Sequence, residues 1–348
     1  MGTVGEMAPP FLDVERRANT GEPSKEELVT VVIPVRNEEA EIDTCLDSIR
    51  QQSYRNLQII VADGRSTDRT RGLVRRHMAE DPRIELLENE GRIVPTGLNR
   101  ALAATRARWL VRVDGHATVP PDYVHRAVEH LRTGRWAGVG GVKAGHGRTP
   151  AGHAIAAAMS SRFGVGGSTY HYGTTQRLVG HVPFGAYSVD VARALGGWDE
   201  RLVVNQDFEF DYRLRQSGGQ LLFDPQMRIR WQCRQSVPDL FRQYRRYGRG
   251  KVAVMKLHPR SISPRHLVPP ALVLSWAVAG VLSLRSPRIA AALVSPYAVA
   301  LAAGSVTTSR RLESSAQRRW VAPAFIAMHA GWGLGFYEGL LRHVGRRR

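Results

Sequence analysis

The residues best placed to do chemistry follow the apolar run from Trp109 to Val113. Asp114 comes directly after the run, and His116 stands two residues later, in the stretch LVRVDGHATVP. Side chains of an extended segment alternate between two faces, so Asp114 and His116 can point into one pocket. A carboxylate and an imidazole together suit a divalent metal, and Mn²⁺ accepts the imidazole more readily than Mg²⁺ does. The alternative is that both residues are only the polar start of a loop.

Two further acidic clusters offer other chemistry. In VADGRSTDRT, Asp63 ends an apolar run, and its carboxylate can accept hydrogen bonds from a base or a ribose. An Asp-Gly pair followed by Ser and Thr is equally ordinary turn chemistry. In NQDFEFDYRLRQSG, Asp207, Glu209 and Asp211 alternate with aromatic residues, and one carboxylate in such surroundings can have a raised pKa and act as a general base. These acidic residues are also consistent with the start of a helix, which favours negative charge.

Predicted strands and helices, which must position these clusters, alternate regularly along the first part of the chain. Alternation of apolar strands with helices predicts an α/β fold with a mostly parallel sheet and flanking helices. Ligands of such sheets bind beyond the carboxyl ends of the strands, so Asp63 and Asp114 should face one crevice. The sequence predicts strands at 28–35, 57–62, 83–88 and 108–114, with helical patterns at 38–52, 66–78 and 96–107.

The composition points to an anionic partner. The 348 residues carry a formal net charge of +18, and arginine, whose planar fork grips phosphate, far outnumbers lysine. Nucleic acid, a phospholipid surface and a phosphorylated substrate all meet this description. With only two cysteines, a disulfide framework or a cysteine zinc site is not expected. Residues 1–27 lack a secretory signal pattern and are expected to form a flexible polar tail.

The C-terminal part changes from basic to apolar. Residues 236–260 have the pattern of a basic amphipathic helix, which suits a membrane interface or a lipid diphosphate, or is a solvated basic face. Three nearly uncharged runs follow, at 267–284, 289–306 and 320–341. We expect a membrane-associated helical region over 265–342, with a soluble helical subdomain as the alternative. The basic loop SRRLESSAQRR predicts a cytoplasmic face.

Taken together, these segments resemble the family-2 glycosyltransferases of the GT-A fold. The likeness rests on the order and spacing of VVIPVRNEEAEIDTCLDSIRQQSY, VADGRSTD, NRALAATRARWLVRVDGHA, VPFGAYSVDVARALGGWDE and NQDFEFDYRLRQSGG, within residues 28–250. With its apolar tail, the chain looks most like bacterial membrane-associated enzymes of exopolysaccharide assembly, such as the succinoglycan-type glucosyltransferases. The resemblance implies a GT-A catalytic domain at 28–235, with a nucleotide half at 28–118 and an acceptor half at 119–235.

The resemblance implies chemical roles for three residues. Asp207 matches the catalytic base of the family. Asp114 matches the first acid of the family's D-x-D and, with His116, would hold a divalent metal, Mn²⁺ or Mg²⁺, on the donor diphosphate. The sequence departs from the pattern where His116 replaces the second acid and Gln206 replaces the acid before the base. These departures leave the metal preference open.

The resemblance also implies where the two substrates bind. Glu38 or Glu39 would reach the ribose or the base, and Asp63 would reach uracil, although the family's D-D-G-S-T-D reads A-D-G-R-S-T-D with Arg65 inserted. Tyr187 would stack on an acceptor sugar, unless its stretch is a strand that crosses the core. The implied nucleotide-sugar site comprises Pro34, Arg36, Asn37, Glu38, Asp63, Arg92, Asn99 and Asp114. The implied acceptor and diphosphate site comprises Gly185, Tyr187, Gln243, Arg246 and Tyr247, the last three in place of the family's Q-x-x-R-W.

The activity that the resemblance implies is inverting, metal-dependent transfer of a hexose from a nucleotide sugar, expected to be a UDP-sugar, to a lipid-linked polyprenyl saccharide. The same resemblance implies exopolysaccharide or cell-envelope glycan synthesis at the bacterial inner membrane, with a cytoplasmic catalytic domain and other glycan-assembly proteins as candidate partners. A processive polysaccharide synthase, a polyprenyl-phosphate sugar synthase and an inactive scaffold stay open. A nucleic-acid-binding protein does not account for the apolar tail. A dinucleotide oxidoreductase is disfavoured because the first strand leads into PVRNEEAE without G-x-G-x-x-G.

Overall fold

The apolar runs of the N-terminal half form strands that are buried on both faces. The computed structural model describes residues 26–344, so the expected tail of 1–27 lies outside the described residues except for its last two positions. Every residue of β1 (Val29–Val35) and of β2 (Leu57–Asp63) is buried. Strands of this kind belong to the interior of a sheet. The remaining strands are β3 (Ile84–Glu88), β4 (Trp109–Arg112), β5 (Ala117–Thr118), β6 (Gly138–His146), β7 (Arg177–Val179), β8 (Ala186–Ser188) and β9 (Leu221–Gln232).

These strands form one mixed sheet in the order β3-β2-β1-β4-β8-β6-β9-β5, with β7 paired to β9. Strands β1 to β4 are parallel to their neighbours among themselves, whereas β8 is antiparallel to β4 and β6. The register places Val35 opposite Asp63 and Val32 opposite Arg112. The carboxyl ends of β1, β2 and β4 therefore meet at one edge, as predicted. The α/β fold class is confirmed, and the less regular second half supplies the antiparallel strands.

Helices flank the sheet where the sequence has helical periodicity. In α1 the apolar residues Ile42, Cys45, Leu46 and Ile49 are all buried, so this helix packs through one face as its spacing predicts. Short 3₁₀ turns lie at 169–171, 259–261 and 264–266. The helices in chain order are α1 (Ile42–Arg50), α2 (Thr70–Glu80), α3 (Val94–Ala104), α4 (Tyr123–Arg132), α5 (Pro150–Met159), α6 (Arg162–Val165), α7 (Val189–Ala194), α8 (Gln206–Gln216), α9 (Val237–Leu257), α10 (Val268–Leu282), α11 (Pro287–Ser309), α12 (Ser315–Arg318) and α13 (Val321–Val344).

The described chain divides into two compact units. The first comprises 26–143 with 173–230, and the second comprises 144–172 with 231–344. The predicted acceptor half of the catalytic domain includes 144–172, whereas the contacts of this stretch group it with the C-terminal helices. The predicted functional boundaries of the catalytic domain stay a prediction.

The core of the first unit joins the sheet to α3 and α8. Val32 of β1, Ile60 of β2, Leu98 of α3 and Phe210 of α8 belong to one buried cluster. The ring of Phe210 stacks on the ring of Trp198 with a centroid distance of 4.6 Å. Because Phe210 lies one turn after Asp207, this packing fixes the first turn of α8, which carries the predicted base.

The second unit contains a close contact between the basic helix α9 and the apolar helix α13. Glycines at 331, 335 and 339 repeat every four residues of α13 and so share one face. A Cβ atom added to Gly335 would lie 1.9 Å from the carbonyl oxygen of Arg245, so only glycine fits there. Glu338 of α13 also forms ion pairs with Arg245 and with Arg249 of α9. The predicted basic helix is therefore confirmed as a helix, and one of its faces packs against α13.

We expect Gly335→Ala to destabilise the second unit although alanine is the better helix former. The added methyl would overlap the backbone of α9, and overpacking of this kind costs about 1–3 kcal/mol. Gly280→Ala in α10 is the matched control, because no atom outside its own helix lies within 4 Å of the added Cβ. Thermal unfolding of both variants checks the prediction. Equal midpoints for the two variants would contradict the backbone contact.

The three apolar runs of the tail are helical, as predicted, but they differ in character. Among the described residues, α11 is the one helix that is both long enough and apolar enough to cross a membrane, with 23 residues. The helix α10 is also apolar but has only 15 residues. Large apolar side chains are exposed on both, including Val281 and Ile289. The third run, α13, instead packs against α9 and carries Glu338 in that contact.

Candidate functional site

The loops that follow β1 and β2 form one surface. The backbone N–H of Asn37 donates to Ser66 Oγ at 2.9 Å, and the N–H of Thr67 donates to Asn37 Oδ1 at 2.8 Å. The N–H of Glu38 donates to Thr70 Oγ1 at 2.8 Å. Asn37 holds a positive φ of 56°, a conformation that is uncommon for residues other than glycine and that these bonds support. The two predicted corners therefore lie side by side at the carboxyl edge of the sheet.

Asp63 lies at the centre of this surface but is 1% exposed. Its two carboxylate oxygens accept hydrogen bonds from the N–H of Ser66 at 3.2 and 3.3 Å. Arg71 Nε lies 3.5 Å from Asp63 Oδ2. These contacts are the turn chemistry that the sequence analysis left open, and they use the carboxylate to shape the loop. Contact between Asp63 and a nucleobase stays a prediction.

The other predicted nucleotide-binding residues divide into exposed and structural positions. Pro34 is buried within β1, whereas Arg36 and Arg92 are exposed, and Arg92 has a φ of 59°. Asn99 is bound at both ends of its amide: Oδ1 accepts from the N–H of Trp198 at 2.8 Å, and Nδ2 donates to the carbonyl of Trp198 at 2.8 Å. This amide ties α3 to the loop before α8, and the nucleotide contact expected of Asn99 stays a prediction.

An arginine joins the two carboxylates that were expected to do the chemistry. Arg112 is the last residue of β4, and its Nε donates to Asp114 Oδ1 at 2.8 Å. Its Nη1 donates to Asp207 Oδ1. The arginine side chain is 5% exposed, whereas those of Asp114 and Asp207 are 16% and 20% exposed. The predicted first metal ligand and the predicted base thus lie together, on the outer side of one buried cation.

The surroundings of Asp207 shift its pKa. Burial raises the pKa of Asp207 above its usual value, and the negative charges of Asp114 and Asp211 add to this effect. The positive charges of Arg112 and His181 act in the opposite direction without cancelling it. A carboxylate with a raised pKa is a better proton acceptor than an ordinary one, which suits a general base.

His116 is bound to Glu38. Its Nδ1 lies 3.0 Å from Glu38 Oε1, which brings a predicted metal ligand and a predicted ribose contact together. Burial disfavours the charged imidazole, but the hydrogen bond and charge of Glu38 outweigh it and raise the pKa of His116. Metal ligands must be deprotonated. In this arrangement Asp114 offers a cation a more direct ligand than His116 does.

The residues 26–344 contain no group of three or more His, Cys, Asp or Glu side chains arranged to hold a metal ion. This donor set still fits one class of cation. Mg²⁺ and similar hard ions are commonly bound by one or two carboxylates, with the remaining positions taken by substrate phosphates and water. The partly exposed carboxylate of Asp114 suits such an ion.

The acceptor residues predicted in VPFGAYS are corrected by their burial. Tyr187 is 2% exposed, and its ring packs against those of Phe210 and Trp198 in the core. It therefore has no exposed face for a sugar, and the strand-crossing alternative describes it. A Cβ atom on Gly185 would lie 2.3 Å from the hydroxyl of Tyr187, so this glycine makes room for the tyrosine and not for an acceptor.

Tyr187 instead belongs to a buried polar network behind Asp207. Its hydroxyl donates to Asp211 Oδ1 at 2.8 Å, and burial together with Asp211 holds the pKa of Tyr187 well above its usual value. The other oxygen of Asp211 accepts from the N–H of Val182 at 2.8 Å and lies 2.6 Å from His181 Nδ1. Asp211 is fully buried, so each of these bonds satisfies a charge that water cannot reach.

We expect Tyr187→Phe to lower stability by about 1–3 kcal/mol, because the buried Asp211 carboxylate would lose a hydrogen bond. Tyr123→Phe is the matched control: Tyr123 is equally buried, but its hydroxyl donates to an uncharged carbonyl, that of Phe184, at 3.4 Å. Chemical denaturation of both variants gives the comparison. A larger loss for Tyr123→Phe would contradict the network.

The three predicted acceptor residues of α9 belong to the second unit. Gln243 is 6% exposed, and its Nε2 donates to the hydroxyl of Tyr247 at 3.1 Å. Arg246 is exposed at the surface of the helix, and the rings of Tyr244 and Tyr247 meet edge to face at 5.7 Å. Their predicted part in holding an acceptor diphosphate stays a prediction.

Arg112 is the residue of this site that the sequence analysis did not identify. The signal was present, since WLVRVD places an arginine inside an otherwise apolar strand. A charged side chain is almost never fully buried without a partner, so an arginine in a buried strand predicts a nearby carboxylate. The identity of the two partners depends on the fold, because Asp207 lies 95 positions away in the sequence.

Comparison with known proteins agrees with this architecture. The family model of Glycosyl transferase family 2 matches residues 30–195. The chain is 32% identical over 320 residues to the succinoglycan biosynthesis protein ExoA of Rhizobium meliloti (strain 1021), covering 89% of this chain and 94% of that protein. It is 26% identical to the dolichyl N-acetyl-alpha-D-glucosaminyl phosphate 3-beta-D-2,3-diacetamido-2,3-dideoxy-beta-D-glucuronosyltransferase of Methanococcus voltae, covering 64% of this chain and 72% of that protein.

Among solved structures, the chain is similar to the mannosyltransferase PcManGT from Pyrobaculum calidifontis, which was determined in complex with GDP-Man and Mn²⁺. The TM-score is 0.65 at 21% sequence identity, and the match covers 95% of each chain. At this identity the likeness concerns the fold alone.

Proposed function

Because this chain belongs to glycosyltransferase family 2, we propose that it transfers a hexose from a nucleotide sugar to a lipid-linked saccharide, with inversion at the anomeric carbon. One observation carries the proposal. The carboxylates of Asp114 and Asp207, which come from distant parts of the chain, lie on one buried guanidinium at the carboxyl edge of the sheet. This is the edge where α/β sheets bind their ligands.

In the proposed reaction Asp207 takes the proton of an acceptor hydroxyl. The hydroxyl oxygen attacks the anomeric carbon and forms the new glycosidic bond, while the bond from that carbon to the nucleoside diphosphate breaks on the opposite face. A donor with an α-linked diphosphate would therefore give a β-linked product. Positioned general bases contribute about 10²–10⁴-fold in rate. The raised pKa of Asp207 suits this role.

On the donor side, Asp114 would hold a divalent metal. When bound, such an ion neutralises the charge that grows on the leaving diphosphate. The chain adds two positive charges of its own. Arg112 contacts Asp114 directly. Arg112 and Lys143 also both lie near the ring of Phe184, with Lys143 Nζ at 4.8 Å from its centroid. We propose Mn²⁺ or Mg²⁺ as the ion and UDP as the nucleotide, with GDP as the alternative to be tested beside it.

Three features support a lipid-linked acceptor at a membrane. The relative from Methanococcus voltae is named for a dolichyl-phosphate-linked sugar, and the similar protein of Rhizobium meliloti is named for succinoglycan biosynthesis. The helix α11 is long and apolar enough to cross a membrane. The net charge of +18 also favours an anionic lipid surface, where each basic residue contributes about 1 kcal/mol. We therefore place the enzyme at the bacterial inner membrane, with its catalytic unit in the cytoplasm and other glycan-assembly proteins as candidate partners.

The experiment uses membranes that contain the full chain, a panel of UDP- and GDP-sugars, Mn²⁺ or Mg²⁺, and a polyprenyl-diphosphate sugar as acceptor. We expect one donor to release its nucleotide and to lengthen the acceptor by one sugar. A long polymer would favour a processive synthase, and sugar transfer to polyprenyl phosphate itself would favour a polyprenyl-phosphate sugar synthase. Absence of turnover with every donor, despite nucleotide binding, would favour an inactive scaffold.

A further inference from the structure

Arg112 forms two ion pairs, because its single guanidinium contacts two carboxylates. Its Nε donates to Asp114 Oδ1 and its Nη1 donates to Asp207 Oδ1. The two acids come from different elements, since Asp114 follows β4 and Asp207 lies in the first turn of α8. The distance between these two acids is therefore set by the width of one planar guanidinium group.

The three side chains differ in how deeply they are buried. The guanidinium is 5% exposed, whereas both carboxylates retain about three to four times that exposure, at 16% and 20%. The cation is therefore the more deeply buried member, and both anions keep part of their surface exposed to solvent. Two carboxylates held by one buried cation are thus open to a ligand.

The arginine is itself held in place. Its backbone N–H donates to the carbonyl of Gly185 at 3.3 Å, which ties the end of β4 to the VPFGAYS stretch. Its guanidinium lies 5.4 Å from the ring centroid of Phe184, within the range of a cation–π contact. Phe184 has a positive φ of 51°, a costly conformation for a bulky residue that persists only where the surroundings enforce it. The stretch expected to bind the acceptor thus orients Arg112.

We propose that Arg112 is a positioning residue that serves both halves of the reaction. It fixes the Asp207 carboxylate, which takes the proton of the acceptor, and the Asp114 carboxylate, which faces the donor diphosphate, at one separation. This inference rests on the proposed function. Removing the guanidinium should then have two opposite effects. It releases the base from its position, which lowers the rate of transfer. It also frees the Asp114 carboxylate from a competing cation, which strengthens metal binding.

The test compares Arg112→Gln, Arg112→Lys and the wild type. Arg83→Gln is the matched control, because Arg83 also binds a carboxylate with Nε and Nη2, that of Asp81, but precedes β3 at the opposite end of the strands. Two quantities are measured on the full chain: kcat for sugar transfer, and the affinity for Mn²⁺ alone from the electron paramagnetic resonance signal of the free ion. Thermal unfolding of each variant is recorded alongside.

For Arg112→Gln we expect kcat to fall about 10²-fold, the effect of misplacing a catalytic group by about 1 Å. We expect Mn²⁺ to bind about threefold to tenfold more tightly, because the cation beside Asp114 is gone. For Arg112→Lys, Mn²⁺ affinity should stay close to that of the wild type, since the charge is kept. Its kcat should still fall at least about tenfold, because an ammonium lacks the fork that spans two carboxylates. The control should change neither quantity by more than about twofold.

An Arg112→Gln variant with unchanged kcat, or with Mn²⁺ affinity equal to or weaker than that of the wild type, would overturn the proposal. If this variant does not fold, Arg112→Lys decides: wild-type kcat overturns the proposal, and reduced kcat with unchanged Mn²⁺ affinity supports it. Failure of the proposed function gives a different result, since the wild type would then turn over no donor. In that case the Mn²⁺ affinity by itself would test whether Arg112 competes with a metal for Asp114.

Discussion

Asp207→Asn is expected to reduce kcat for sugar transfer by about 10²–10⁴-fold, the contribution of a positioned general base. The amide has nearly the same size and can still accept the hydrogen bond from Arg112, but it cannot take a proton. Because partial burial disfavours the ionised form of Asp207, its neutralisation should not lower stability. Initial rates with the active donor, together with thermal unfolding, measure both effects.

The matched control for this variant is Asp199→Asn. Asp199 also pairs with an arginine in the first unit, Arg201, but neither residue contacts Arg112, Asp114 or Asp207 in the contacts described above. We expect its kcat to stay within about twofold of the wild type. An Asp207→Asn enzyme that keeps more than about a tenth of wild-type kcat would exclude Asp207 as the base.

The loss of activity at low pH gives an independent test of Asp207 as the base. The base must be ionised to accept a proton, and the pKa of Asp207 is raised above the usual value of an aspartate. Activity should therefore be lost as the pH falls through this raised pKa, at a higher pH than an unperturbed aspartate would give. The profile of kcat/KM reports this pKa in the free enzyme.

The first half of the fold could be predicted because its signals are local. The apolar residues of α1 repeat at helical spacing, and β1 and β2 are mostly apolar runs that need cover on both faces. The second half gave no such signal. Strand β8 has three residues, and its place between β4 and β6 depends on antiparallel partners far away in the sequence. Short strands of this kind are set by tertiary contacts and not by propensity.

The candidate site shows the same division at the level of single side chains. Asp114 and Asp207 were expected to act together, and the structure places them on one guanidinium. Tyr187 was assigned to a sugar because an aromatic beside a glycine fits either a ligand or a core. Its burial depends on Phe210 and Trp198, which the local sequence does not reveal as neighbours. The bonds between Asn99 and Trp198 could not be foreseen for the same reason, because the two residues lie 99 positions apart.

The apolar tail was interpreted from its lack of charge alone. The spacing of its glycines held further information about which helix faces contact protein. Glycines four residues apart in the last run mark a helix face that meets another backbone. In the structure this face meets α9, the basic helix, and Glu338 pairs with two of its arginines. A single acidic residue on the glycine-bearing side of an apolar helix therefore indicated a protein neighbour rather than lipid on that side.

Asp114→Asn is expected to have the second large effect, on both metal binding and rate. The amide oxygen is a much weaker ligand than a carboxylate, so Mn²⁺ affinity should fall below detection, and kcat/KM should fall about 10²–10³-fold with the lost stabilisation of the leaving diphosphate. His116→Gln is the informative comparison. The Nδ1 of His116 already contacts Glu38 at 3.0 Å, whereas Asp114 keeps part of its carboxylate at the crevice. We therefore expect His116→Gln to reduce Mn²⁺ affinity less than tenfold. Equal losses in the two variants would instead mean that the imidazole leaves Glu38 to bind the metal, and that the carboxylate and the imidazole act as a pair.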